Sequence, residues 1–152
     1  MSIQLWIHIF IITVRLWCII LNVLIITNNP LVRDTYSESA SHMGFGVEIC
    51  YSEEDALRLL QRVRDLVYEG YPLLSHPLPA SIRIIYSPYR SVMVGTVSGK
   101  LDPWHTEMVE ESVRKYCQTM EHRTPDKANA EDYAWMDMQL LSAALKEPRP
   151  FA

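Results

Sequence analysis

YPLLSHPLPASIRIIYSPYRS, residues 71–91, is the stretch on which the reading of this chain turns. Pro77, Pro79 and Pro88 each fix φ and push the preceding residue out of the α region, so the sequence predicts turn or extended backbone here. A helix-like pattern runs into the stretch and an apolar, strand-like run leaves it. Between them sit His76, Ser81, Arg83, Ser87, Tyr89 and Arg90. Polar groups held in a stiff, irregular segment between regular elements are a common place for binding and chemistry.

Upstream, Ala56, Leu60, Val63 and Val67 recur at helical spacing, with Leu59 and Leu66 widening the stripe. Ser52 reads as the N-cap, with Asp55 three residues on as a variant capping box, and Gly70 and Pro72 stop the helix. Leu73 and Leu74 are taken as a brief strand ending at Ser75 and His76. Val47–Tyr51 alternates and reads as a short strand. Residues 37–46 are a polar, Gly- and Ser-containing connection, and Leu31–Tyr36 is a helical turn or loop. Val23–Thr27 is β-branched, and the turn residues Asn28, Asn29 and Pro30 follow, so it reads as the first strand.

Downstream, Ser91–Val97 is a strand and Ser98 with Gly99 turns the chain. Asp102 is an N-cap, and Pro103 stands at the first helical position, where its missing N–H costs nothing. Trp104, Met108, Ser112, Tyr116 and Met120 mark one face of this helix. Thr124 and Pro125 break it. A last helix runs over 128–146, with Ala134, Met138, Leu141 and Leu145 inward, and Trp104 and Trp135 are read as core. Short strands alternating with amphipathic helices define an α/β class: one domain, with a small, mostly parallel sheet flanked by helices. The expected organisation is an apolar extension over 1–21, the α/β domain over 22–147 and a tail over 148–152. In such sheets ligands sit at the carboxyl ends of the strands. If the strands are parallel neighbours, the Asn28–Asn29 turn and the His76–Pro77 turn share a cleft.

The composition narrows the function. Lys and Arg total 14 against 18 Asp and Glu, a formal charge of −4, which gives no electrostatic case for nucleic acid. Cys18, Cys50 and Cys117 are far apart, without CxxC or Cys/His ligand spacing. Neither a metal site nor a disulfide framework is expected, and a cytoplasmic setting fits. No GxGxxG, P-loop or GxSxG spacing is present, so no cofactor is expected and a serine-nucleophile hydrolase is disfavoured.

Residues 3–26 form a nearly continuous apolar run, long enough to cross a bilayer. Arg15 at its centre costs about 2.5–3.5 kcal/mol on the insertion scale, against about 0.3–0.6 regained by each large aliphatic or Phe side chain. The run lacks the basic n-region and the small-residue cleavage site of a signal peptide. Two readings stand: an inner-membrane anchor over 3–21, or an upstream-extended reading frame with the native start near Leu21 or Val23. An anchor there leaves essentially no linker before the first strand.

IITNNPLV at 25–32, VRDLVYEGYPLLSHPL at 63–78 and SPYRSVMV at 87–94, in that order, resemble the GrdX family over roughly residues 22–120. The family's TNNP turn falls on Thr27 to Pro30, its L-x-HPL segment on Leu74, His76, Pro77 and Leu78, and its last segment on Ser87 to Ser91. Arg83 and Arg90 stand where lysine is usual in the family, and Ile84 where proline is. The resemblance implies an accessory protein encoded beside the glycine/sarcosine/betaine reductase system of anaerobic, amino-acid-fermenting bacteria, with components of that system as partners. It implies no established activity.

Each candidate residue has two readings. His76, with an ordinary pKa near neutrality, suits a general acid, base or anion ligand; equally, its ring can bond the neighbouring backbone and stiffen the HPL turn. Ser81, Arg83, Ser87 and Arg90 combine hydroxyl donors with guanidinium forks suited to carboxylate or phosphate, or they are turn chemistry plus surface arginines. Asn28 and Asn29 either satisfy their turn or face a ligand. Tyr89 is a packed aromatic or a hydroxyl aimed into the cleft. His105, His42 and His122 are read as solvated. The leading expectation is a non-catalytic accessory protein. It would bind a small anion or a partner's chain terminus through Asn28, Asn29, His76, Ser81, Arg83, Ser87, Tyr89 and Arg90. The alternatives are an acid–base enzyme using His76, with Arg83 or Arg90 holding a substrate carboxylate, and a membrane-tethered adaptor.

Overall fold

A computed structural model describes residues 23–39 and 46–146. Its centre is β1 (Val23–Thr27), where β-branched residues dominate and almost every side chain is buried. Burial on both faces is what a central strand needs. β2 (Val47–Tyr51) pairs parallel to it, from Val23↔Val47 to Thr27↔Tyr51. β3 (Ser91–Val94) pairs antiparallel on the other side, from Leu24↔Val94 to Thr27↔Ser91. The sheet is therefore mixed, in the order β2-β1-β3. Leu73, which lies outside the strands, adds a single antiparallel bridge to Val94 of β3. Because Leu73–Ser75 and β1 both run antiparallel to β3, the end of β1 and the His76 turn lie at one end of the sheet.

The two-residue period of β1 divides the core into two layers. Val23 and Ile25 pack with Val32 and Tyr36 of α1 (Pro30–Ser39) and with Leu141 and Leu145 of the last helix, α5 (Ala130–Lys146). Ile26 faces Leu59, Val63 and Val67 of α2 (Ala56–Tyr68) and Val109 of α4 (Pro103–Met120). Each of these fully buried aliphatic side chains is worth about 1.5–3 kcal/mol against exposure. The single α/β domain with helices on both faces of a small sheet is the class its sequence predicts.

Local chemistry sets the helix starts. Pro30 occupies the first position of α1, and Asn29 caps it by accepting from the Leu31 N–H at 3.0 Å. Asp102 caps α4 through the Trp104 N–H at 2.9 Å, as the sequence predicts. α2 is capped by Asp55, accepting from Arg58 N–H, and not by Ser52. The Ser52 N–H instead continues the ladder to the Thr27 carbonyl, and its hydroxyl reaches Glu54.

Other expectations are corrected by packing. α1 is a full helix of ten residues, not a turn. Leu73 and Leu74 are buried but form only a bridge, and β3 ends at Val94 because the next N–H, of Gly95, goes to the Pro72 carbonyl. The proline-stiffened stretch holds a one-turn helix, α3 (Ile82–Ile85), in the proline-free interval between Pro79 and Pro88. On α4 the buried stripe is His105, Val109, Ser112 and Tyr116; Ser112 and Tyr116 are on the predicted face, but His105 and Val109 replace Trp104 and Met108. Consecutive helix positions point about 100° apart, so His105 is 4% exposed and Trp104 54%. His105 is thus not solvated, and neither Trp104 nor Trp135, 57% exposed, is core.

Among the described residues no helix is long and apolar enough to cross a membrane. The expected anchor over 3–21, the tail over 148–152, His42 and Cys18 lie outside the described residues.

Candidate functional site

Three segments meet at the carboxyl end of β1, and the asparagine pair joins them. Asn28 points toward the α2 side: its amide donates to the carbonyls of Glu54 and Pro88, both at 2.9 Å, and its Oδ1 accepts from Arg90 N–H at 2.7 Å. Asn29, one residue on, points to the opposite face, as strand alternation requires. Its amide donates to the Ala134 carbonyl at 2.8 Å and to Asp137 Oδ2 at 2.9 Å. All four amide hydrogens of the pair are committed to protein acceptors. Their chemistry here is that of a clamp between β1, the start of α2, the segment before β3, and α5.

Asp137 is the centre of the α5 side. It is 6% exposed and accepts from Ser91 N–H at 2.9 Å, Ser91 Oγ at 2.7 Å and Asn29 Nδ2. The donor order is unambiguous, because Ser91 gives its hydroxyl proton to Asp137. Thr27 Oγ1 must therefore donate to Ser91 Oγ, 2.8 Å away, while accepting from Asn29 N–H. Burial pushes the Asp137 carboxyl above the usual carboxylate range; the Asn29 and Ser91 donors and the nearby Arg90 charge act against that rise. Every bond it receives favours the ionised form.

Arg90 is 4% exposed. Its Nη2 donates to the Ile84 carbonyl at 3.3 Å, while its Nε is buried without a hydrogen-bond partner. Burial lowers its pKa, and Asp137 and Tyr116 oppose that through their charge. An unpartnered buried guanidinium N–H is costly, and few such groups occur in folded proteins.

A cleft of about 170 Å³ opens at this point. Ser75, His76, Arg90, Ser91 and Asp137 supply its polar lining, and Pro77, Leu78, Leu140 and Leu141 are among its apolar walls. His76 sits at its exposed edge. Its Nδ1 faces both the Leu78 N–H at 3.0 Å and the Leu78 carbonyl at 2.8 Å, one bond for each tautomer. This is the backbone-stiffening arrangement, and it leaves Nε2 for a ligand or a proton.

The predicted residues are divided among several environments. His76 and Arg90 share this cleft. Asn28 and Tyr89 line a separate cleft of about 400 Å³ with Tyr51, Glu53, Glu54 and Asp55. Ser87 is buried in its own turn, donating to the Tyr89 carbonyl and accepting the Tyr89 N–H. Ser81 and Arg83 are exposed at the one-turn helix α3, outside both clefts. Ser75 lines the cleft as its place beside His76 at a strand end predicts, whereas Asp137 is not among the residues expected there. Asp137 falls between Ala134, Met138 and Leu141 on the inner face of α5, and a charged residue in an apolar stripe was the available signal. Among the described residues no group of three His, Cys, Asp or Glu side chains is placed to hold a metal ion.

A parallel and an antiparallel strand pair wrapped by helices, with a polar cleft at the strand ends, define a small α/β protein. The family profile described as GrdX-like protein matches residues 24–146, and the chain belongs to this family. The match takes in α5, which carries Asp137 and which the sequence resemblance alone left out. No curated protein and no solved structure matches the chain.

Proposed function

We propose that this protein is a binding accessory of the glycine/sarcosine/betaine reductase system, and that it takes a small carboxylate, free or at a partner's chain end, in the cleft beside Arg90. The observation that carries this reading is the buried Arg90 Nε, which has no acceptor and belongs to a residue that lines the cleft. A carboxylate supplies the missing acceptor and the counter-charge together, and charge-assisted bonds of this kind are about twice as strong as neutral ones. The volume equals about six waters at ~30 Å³ each, which suits a ligand of a few heavy atoms. The link to the reductase system rests on family membership and the genomic setting it implies.

The test is a thermal-shift series with acetate, propionate and inorganic phosphate on the wild-type chain and on Arg90→Met. The reading expects a concentration-dependent rise in Tm with a carboxylate that vanishes in Arg90→Met. No shift with any anion, or the same shift in the variant, rejects it.

The position of His76 in the same cleft favours one second reading, an acid–base enzyme acting through its Nε2. That reading requires a pH-dependent activity that disappears in His76→Ala at unchanged stability.

A further inference from the structure

The cleft presents two opposite charges. Arg90 and Asp137 both line it, and among the described residues they make no direct ion pair with each other. Arg90 offers an unused donor, Nε. Asp137 offers an unused acceptor position: a carboxylate has about four lone-pair sites, and Ser91 N–H takes one on Oδ1 while Ser91 Oγ and Asn29 Nδ2 take two on Oδ2. A simple anion completes only the first of these and adds a negative charge beside Asp137. We infer that the ligand is a small zwitterion, an α-amino acid or a close relative, with its carboxylate on Arg90 and its ammonium on Asp137.

The inference rests on the carboxylate reading above and adds a second recognition element to it. The ligand's net charge of zero matches a site whose own two charges cancel, so neither buried group is left uncompensated on binding. The apolar walls, Leu140 and Leu141 with Pro77, leave room for a short side chain and none for a large one within about 170 Å³.

Calorimetry on the wild-type chain with L-alanine, propionate and L-phenylalanine decides the point without relying on a variant. Alanine and propionate differ only in the ammonium. The expected result is alanine at least about tenfold tighter than propionate, a difference of about 1.4 kcal/mol, with no binding of phenylalanine. Equal affinity for alanine and propionate overturns the zwitterion while leaving the carboxylate reading intact. Absence of binding by both overturns the two together. Asp137→Asn, checked for folding by circular dichroism, is expected to bring alanine down to the affinity of propionate; retained preference in that variant also overturns the assignment.

Discussion

The Asp137 carboxylate accepts both the backbone N–H and the hydroxyl of Ser91, at 2.9 and 2.7 Å. One side chain on the last helix thereby fixes the first residue of β3. The same carboxylate holds Asn29, which caps α1. Three elements distant in sequence are positioned by one buried side chain, and Ser91 and Asp137 both line the candidate cleft.

Asp137→Ala should therefore be among the most damaging single substitutions. It leaves the Ser91 and Asn29 donors buried without their acceptor, at about 1–3 kcal/mol for each unsatisfied group. A loss of about 3 kcal/mol or more is expected, read as a lower urea midpoint at unchanged m-value. A loss under about 1 kcal/mol would show that water or a neighbour replaces the carboxylate.

The same carboxylate gives stability a pH dependence of known sign. Burial holds its folded pKa above the ordinary 3.8. The folded chain then binds this proton more tightly than the unfolded chain. Stability from the site is fully present below 3.8 and falls as pH rises through the raised value. The unfolding free energy of wild type minus that of Asp137→Asn should decline across this window; a rise would mean that the donors outweigh burial.

Arg90→Met should have the opposite character. The buried Arg90 Nε–H has no acceptor, a cost of about 1–3 kcal/mol that an apolar side chain of similar length removes. The urea midpoint is expected to stay level or increase while anion-dependent stabilisation disappears. A large loss of stability would instead assign Arg90 a structural function through its bond to the Ile84 carbonyl.

Two glycines separate backbone strain from crowding. Gly70 has φ +95° and Gly99 φ +67°, both in the region that favours glycine. An added Cβ at Gly70 would lie 3.1–3.2 Å from backbone atoms of Gly99 and Lys100, whereas at Gly99 it meets nothing within 4 Å. Gly99→Ala should cost about 1 kcal/mol and Gly70→Ala clearly more, as measured by chemical denaturation. Equal costs would mean that the two turns relax independently.

Much of the fold was legible in the sequence because its local signals agree. The VLIIT run, the NNP cap, the Asp102–Pro103 start and the Ala56–Val67 stripe each specify one element. Where two signals compete, burial decides. Trp104 outranks His105 in apolar character, yet the register of Val109, Ser112 and Tyr116 turns His105 inward. Ser52 and Asp55 are both good caps, and the ladder to Thr27 claims Ser52. The site was legible only in part. Arg90 and His76 stand in a conspicuous stretch. Arg83 looks equivalent to Arg90 in sequence but is exposed, because α3 turns it outward while Arg90 enters the sheet end. Asp137 lies 46 residues beyond Ser91. No local pattern reports a contact made across that separation.

Arg90, which lines the cleft, holds the buried Nε–H donor left without an acceptor, and the proposed carboxylate must reach it. Its ¹H–¹⁵N resonance, assigned by its absence in Arg90→Met, can be followed by NMR as acetate and L-alanine are added. The expected result is a saturable downfield proton shift of this resonance with both ligands, at lower concentration for alanine. A resonance that stays in place while either ligand binds elsewhere would contradict the proposed carboxylate site.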